Sequence, residues 1–263
     1  VNKSPVALLN IRPEPHYRRD AFESGLKRAG YWVGTGFDTK RVPRPLTRED
    51  MLVLWNRKKG TEEVAAEAWE AAGGNVIVVE NGYAGNKPKQ HYHYAISVHQ
   101  HNGAGWFPQT DEDRWGRLGI TLKPWQHNEG GHVLICGQRG IGSKLMSSPP
   151  GWGVREAKEM KAQGKNVRFR PHPGNFVPTV PLTTDLKGAA SCLIWSSGAG
   201  VTALIEGIPV EHRAPHWICA GAVESNREQV LNRMAHAQWS IPEIETGEPF
   251  KRIRERIGEA KWP

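Results

Sequence analysis

The chain has 263 residues, 38% hydrophobic and 24% charged, with 29 Gly and 19 Pro. That composition excludes a disordered or low-complexity protein and fits one large or two small globular domains. Thirty-five Lys and Arg against 27 Asp and Glu leave a net charge of +8, a bias towards polyanionic partners such as nucleic acid or phosphorylated ligands.

The apolar run 6–11 predicts a buried strand. Residues 18–29 predict a helix with Phe22, Leu26 and Ala29 on one face and Gly30 as its stop, and Tyr31, Trp32 and Val33 read as a second strand. A third strand is expected over 51–55. A helix over 61–72 follows, with Thr61 as N-cap and Val64, Ala65, Ala68 and Trp69 facing inward, and then a strand over 75–80. Such βα units imply a parallel sheet covered by helices on both faces. Residues 81–130 break the rhythm and read as long functional loops with a hinge near 123–125. Alternation resumes with strands over 132–136, 166–170, 191–195 and 208–210. The helices expected between and after them cover 154–162, 200–206 and 226–239. A last helix over 249–260 places Phe250, Ile253 and Ile257 on one side and Lys251, Arg252, Arg254 and Arg256 on the rest.

No apolar run approaches the roughly 18–20 residues that cross a bilayer, and no secretory signal pattern opens the chain. A soluble, cytoplasmic protein without a membrane partner is expected. Cys136, Cys192 and Cys219 lack CxxC spacing and two of them lie in apolar runs, so buried free thiols in a reducing compartment are expected. His91, His93, His99 and His101 are spaced for a shared strand face, but no Cys or carboxylate completes a zinc set, and no tightly bound metal is expected.

Three segments carry the chemistry. In the first, a strand runs into Ser196, Ser197 and Gly198 and then a helix; small residues there let backbone N–H groups approach a phosphate or diphosphate. The second is Arg170-Pro171-His172-Pro173-Gly174, where the prolines hold His172 in extended backbone at a strand's carboxyl end, the ligand edge of an open α/β sheet. In the third, Gly137, Gln138, Arg139 and Gly140 lie at an equivalent strand end and supply an Arg for a phosphate.

In this order, the segments LICGQRG (134–140), RFRPHPG (168–174) and WSSGAGVTALIEGIPV (195–210), with Pro215-His216-Trp217 after them, resemble the donor half of GT-B-fold nucleotide-sugar glycosyltransferases. The resemblance is to the capsule-polysaccharide, Kdo-transferase-like group and covers roughly 131–220. It implies two Rossmann-like domains facing a cleft, here 1–125 on the acceptor side and 126–245 binding the nucleotide sugar, with 246–263 as a basic C-terminal helix. It also places Thr202 where that group carries a Glu thought to bind the ribose hydroxyls, and Glu206 lies one turn too far on.

Glycosyl transfer needs a base for the acceptor and a partner for the leaving diphosphate. Gln138, Arg139, Gly140, His172, Ser196, Ser197, Gly198 and Thr202 are the expected donor contacts. Glu80, at a strand's carboxyl end before a turn, is the expected base, with Asp38 second. Tyr83, Lys87, Lys89, Trp106, Arg114 and Trp115 interleave aromatics with cations, a pattern suited to stacking on bases or sugars. Together with the charge, they suggest an acceptor such as DNA with hydroxymethylated bases, as in phage DNA glucosyltransferases. The alternatives are a saccharide acceptor or a non-catalytic nucleic-acid-binding protein with a degenerate glycosyltransferase fold.

Overall fold

The computed structural model describes residues 4–36, 45–86, 92–174 and 180–260. In chain order the strands are β1 (Val6–Asn10), β2 (Trp32–Thr35), β3 (Met51–Trp55), β4 (Asn75–Asn81), β5 (His93–Val98), β6 (His132–Cys136), β7 (Val167–Arg170), β8 (Ala189–Ile194), β9 (Val210–His212) and β10 (Gln238–Ser240). The helices are α1 (Arg19–Arg28), α2 (Thr61–Ala71), α3 (Arg114–Arg117), α4 (Trp152–Ala162), α5 (Leu182–Leu186), α6 (Ala199–Ile205), α7 (Arg227–Ala235), α8 (Ile241–Thr246) and α9 (Glu248–Arg256).

The chain divides into two compact units. The first takes in 1–112, 142–144 and 235–263, the second 113–141 and 145–234. Residues 113–125, expected in the first domain, therefore lie in the second, and 235–245, expected in the second, lie in the first.

The first unit holds a six-stranded sheet in the order β10-β5-β4-β3-β1-β2, in which β1 to β4 run parallel. β3 and β4 are apolar residue after residue because both of their faces are covered. Met51, Val53, Ile77 and Val79 enter one core with Phe22 and Leu26 of α1 and Phe250 and Ile253 of α9. Leu52, Leu54, Val76 and Val78 enter the opposite core with Ala65, Ala66 and Trp69 of α2. Val64, expected to face inward, is 54% exposed. Glu63 takes the inward place, where the guanidinium of Arg57 lies 3.6 Å away.

The long loop expected over 81–130 contains β5, antiparallel to β4. The tail also departs from expectation. Instead of one helix over 226–239, α7 stops at Ala235 and β10 pairs antiparallel with β5. The Gln238 side chain fixes that return. Its Oε1 accepts the Tyr83 and Ala84 N–H groups at 2.8 and 3.0 Å, and its Nε2 donates to the Ala84 carbonyl at 2.9 Å. α8 was not expected either, although Ser240 and Glu243 carry its signal as a reciprocal capping box with Pro242 in the first turn.

α1 and α8 approach closely at Gly25, where a Cβ would run into the Ile244 carbonyl oxygen. Gly25→Ala is expected to lower stability by about 2–3 kcal/mol despite its better helix propensity, because overpacking forces the two helices apart. Urea unfolding followed by circular dichroism reads this as a lower midpoint with an unchanged slope.

The second unit holds a four-stranded, all-parallel sheet in the order β7-β6-β8-β9. Ile135 and Leu193 of its central strands pack with Val167, Trp152, Ala157 and Met160. Cys136, Cys192 and Cys219 are free and buried. Burial pushes the Cys219 thiol up to about 12.

Candidate functional site

The strand order of the second unit brings the three sequence segments together. β6 lies between β7 and β8 and all three are parallel, so the residues that follow them emerge side by side at one edge. The Gly137 N–H donates to the Arg170 carbonyl at 2.8 Å, continuing the ladder past the strand end. Gln138 Oε1 accepts the Ser196 N–H at 2.7 Å and so ties the loop after β6 to the loop after β8. The Trp195 indole donates to the Met146 carbonyl at 3.1 Å, fixing the root of the same loop.

The anion-binding geometry of that loop differs from expectation. α6 has only seven residues, and its first amides are already used. Ala199 N–H donates to Ser197 Oγ at 3.1 Å, Gly200 N–H to the Ser197 carbonyl at 3.1 Å, and Val201 N–H to the Gly198 carbonyl at 3.0 Å. The backbone N–H groups of Ser197 and Gly198 have no hydrogen-bond partner among the described residues, so they rather than the helix end are the available donors. Ser196 is buried, Ser197 half-buried and Gly198 exposed.

His172 Nδ1 accepts the Gly174 N–H at 2.9 Å. The proton of the neutral imidazole is thereby assigned to Nε2, which becomes a hydrogen-bond donor. Burial, and then the positive charge of Arg139, hold the His172 pKa below the ordinary histidine value. Arg139 packs on the same turn, since a Cβ on Gly174 would lie 2.7 Å from its Nη1. The Arg139 guanidinium is exposed and has no ion-pair partner among the described residues, whereas Arg170, two residues before His172, is bound to Asp185. The edge thus offers one free guanidinium, one imidazole N–H and two free amides, a set that matches the oxygens of a diphosphate. Thr202 is half-buried on α6. Glu206 accepts Lys123 Nζ at 2.5 Å, so it is occupied elsewhere.

In the first unit Glu80 ends β4, and its Oε1 accepts the Tyr83 hydroxyl at 2.5 Å. Asp38 lies outside the described residues. Of the residues expected to face a nucleic acid, Tyr83 and Trp106 are half-buried. Trp106 packs against the core of the first unit, and its carbonyl accepts the Val98 N–H at 2.7 Å. In the second unit Arg114 and Trp115 are buried, with the Trp115 N–H donating to Asn232 Oδ1 at 2.9 Å. Lys87 and Lys89 lie outside the described residues. The cations of α9 are largely engaged as well. Arg252 bonds Glu248 and Glu112 at 2.7 and 2.9 Å, Arg254 donates to the Ala29 carbonyl at 3.0 Å, and Arg256 pairs with Glu259 at 2.7 Å. Arg114 and Trp115 are thus taken up by packing, and Arg252 and Arg256 by ion pairing.

Among the described residues no group of three or more His, Cys, Asp and Glu side chains is placed to hold a metal ion, and no helix is long and apolar enough to cross a membrane. His99, from the histidine-rich stretch, bonds Glu70 at 2.5 Å, and His91 lies outside the described residues.

No protein-family model matches the sequence, and no curated protein sequence matches it. Solved structures do. A chain described as Thermosulfurimonas dismutans KpsC, beta Kdo 2,7 transferase, superposes with a TM-score of 0.55 at 13% identity, covering 93% of this chain and 98% of that one. A chain described as the beta Kdo 2,4 transferase of the same KpsC gives a TM-score of 0.55 at 13% identity, over 89% of this chain and 91% of that one. The fold is glycosyltransferase-like. The mixed α/β organisation with two regions of parallel sheet is consistent with the GT-B-like class. This agreement concerns the fold and assigns no role to the residues at the sheet edge.

Proposed function

We propose that the protein transfers a sugar from a nucleotide-activated donor to a hydroxyl acceptor, with the donor diphosphate held in the second unit by Arg139, His172 and the amides of Ser197 and Gly198. The observation that carries this reading is the adjacency of the β6, β7 and β8 strand ends, with Gln138 bridging to Ser196 and His172 locked as an Nε2–H donor. Arg139 and His172 supply the charge and hydrogen bonds that a departing nucleoside diphosphate requires. Glu80 serves as the base, its carboxylate oriented by Tyr83. That two structural neighbours are described as Kdo transferases supports a sugar as the transferred group and favours a saccharide acceptor. A DNA acceptor is not part of the proposal, because Arg114 and Trp115, which helped to suggest it, are buried and Trp106 packs against the core.

One observation favours a second reading. α6 offers Thr202 and no free carboxylate for the ribose, so a non-catalytic protein that keeps the fold is the rival.

The test is a thermal-shift screen against UDP, GDP, CMP and their sugars. A ligand at 100 times its dissociation constant adds about 2.7 kcal/mol to folding stability, a readily measured rise in melting temperature. One nucleotide class is expected to raise it, and its sugar is then supplied for transfer to saccharides. No shift with any nucleotide overturns the proposal, and a shift without transfer or donor hydrolysis supports the rival.

A further inference from the structure

The first unit carries a cavity that the transfer reading leaves unassigned. It measures about 440 Å³ and lies at the carboxyl ends of β1, β2 and β3, lined among others by Arg12, Arg19, Thr35, Trp55, Lys58 and Glu62. This edge of a parallel sheet is where ligands bind in open α/β folds. Arg12 is exposed, Arg19 and Lys58 are half-buried, and none of the three makes an ion pair among the described residues. Other cations of this unit, among them Arg18, Lys27, Arg57, Arg252 and Arg256, are paired.

The backbone places Lys58 there at a cost. Asn56 and Arg57 both adopt the left-handed conformation, at φ of 67° and 36°, which is unfavourable for two consecutive non-glycine residues. The turn is held by buried Arg57, which donates to Glu70 at 2.7 and 3.0 Å and to the His99 carbonyl at 2.6 Å. The anchored turn sends Arg57 inward and leaves Lys58 at the cavity. Trp55 is equally fixed. Its ring lies edge-on to Tyr17 with centroids 4.7 Å apart, and to Tyr94 at 6.0 Å. A rigid aromatic wall suits the apolar face of a sugar ring.

Among the described residues, three cations against the one carboxylate of Glu62 leave two positive charges around the cavity. A carboxylate ligand would neutralise one of them. A phosphomonoester, with a charge of about −1.5 to −2 at pH 7, neutralises both, and its oxygens match two guanidinium forks. We infer that this cavity binds a phosphomonoester carried on a sugar or polyol. As the acceptor site it rests on the transferase reading above; as a binding site it does not.

Calorimetric titration of the full chain with inorganic phosphate, glucose 6-phosphate, glucuronate and glucose tests the inference. Glucose 6-phosphate is expected to bind at least tenfold more tightly than glucuronate, inorganic phosphate to compete with it, and glucose to give no heat. The double variant Arg12→Gln/Arg19→Gln and the single variant Lys58→Gln are each expected to weaken glucose 6-phosphate binding at least tenfold with unchanged melting temperature. Glucuronate binding as tightly as glucose 6-phosphate overturns the phosphomonoester assignment, and wild-type affinity in both variants overturns the site. If no nucleotide shifts the melting temperature but glucose 6-phosphate still binds through Arg12 and Arg19, the donor reading fails while this inference stands.

Discussion

His172→Ala is expected to reduce turnover by about 10²–10³-fold while the melting temperature stays near that of the wild type. The imidazole is half-buried at a strand end, and among the described residues its hydrogen bond is one accepted from the Gly174 N–H within its own turn. Removing it therefore disturbs little of the packed core. In the proposed mechanism the Nε2–H meets charge that grows on the departing diphosphate, and losing one such preorganised donor costs about 3–4 kcal/mol of transition-state stabilisation. The loss is expected mainly in kcat, since a contact that strengthens only as the bond breaks contributes little to ground-state binding. His172→Gln, which retains an N–H donor, is expected to recover part of it. Steady-state kinetics with the nucleotide sugar found by the thermal screen checks this. Wild-type turnover in His172→Ala removes the residue from the mechanism, and loss of nucleotide binding without a kcat effect makes it a ground-state contact.

Glu80→Gln is expected to lower transfer by about 10²–10⁴-fold, the usual contribution of a general base, with nucleotide binding intact. The amide keeps the size of the carboxylate and can still accept the Tyr83 hydroxyl, so β4 and the turn after it stay in place. Tyr83 is itself held by its backbone N–H on Gln238, so Oε1 of Glu80 has a fixed partner and Oε2 is the oxygen available for an acceptor hydroxyl. Tyr83→Phe is expected to have a much smaller effect than Glu80→Gln, because it loosens the carboxylate without removing its basicity. Transfer assays beside a nucleotide-binding titration separate the two steps. Near-normal transfer by Glu80→Gln moves the role to another residue.

Much of the fold was legible in the sequence because burial leaves a local record. The runs Met51 to Leu54 and Val76 to Val79 are apolar at every position, as strands covered on both faces must be, and Phe22 and Leu26 repeat at helical spacing. The three loops of the candidate donor site were legible as a set, since each places small, extended or cationic residues directly after such a run. β5 was missed because its His and Tyr content suggested a functional loop, although Tyr94, Ala95, Ile96 and Val98 are all buried. α8 was missed despite the capping signal of Ser240 and Glu243, because it fills the short gap between the helices expected over 226–239 and 249–260.

The sequence by itself determined most of the strands and helices, with β5, β10 and α8 among the exceptions, and which strand ends are candidates for chemistry. These follow from side-chain periodicity and turn preferences that act over a few residues. Only the tertiary structure decided the strand order β7-β6-β8, which makes neighbours of Gln138, His172 and Ser196, and the return of β10 onto β5, sealed by Gln238 against Tyr83 and Ala84. It also decided the fate of the charges. Arg114 is buried and Arg252 is paired with Glu112, whereas Arg12, Arg19 and Lys58 make no ion pair among the described residues and line one cavity. The physical reason is that a side chain's burial and ion pairing depend on partners far away along the chain, which no local pattern encodes, while its tendency to join a strand or helix depends on its near neighbours.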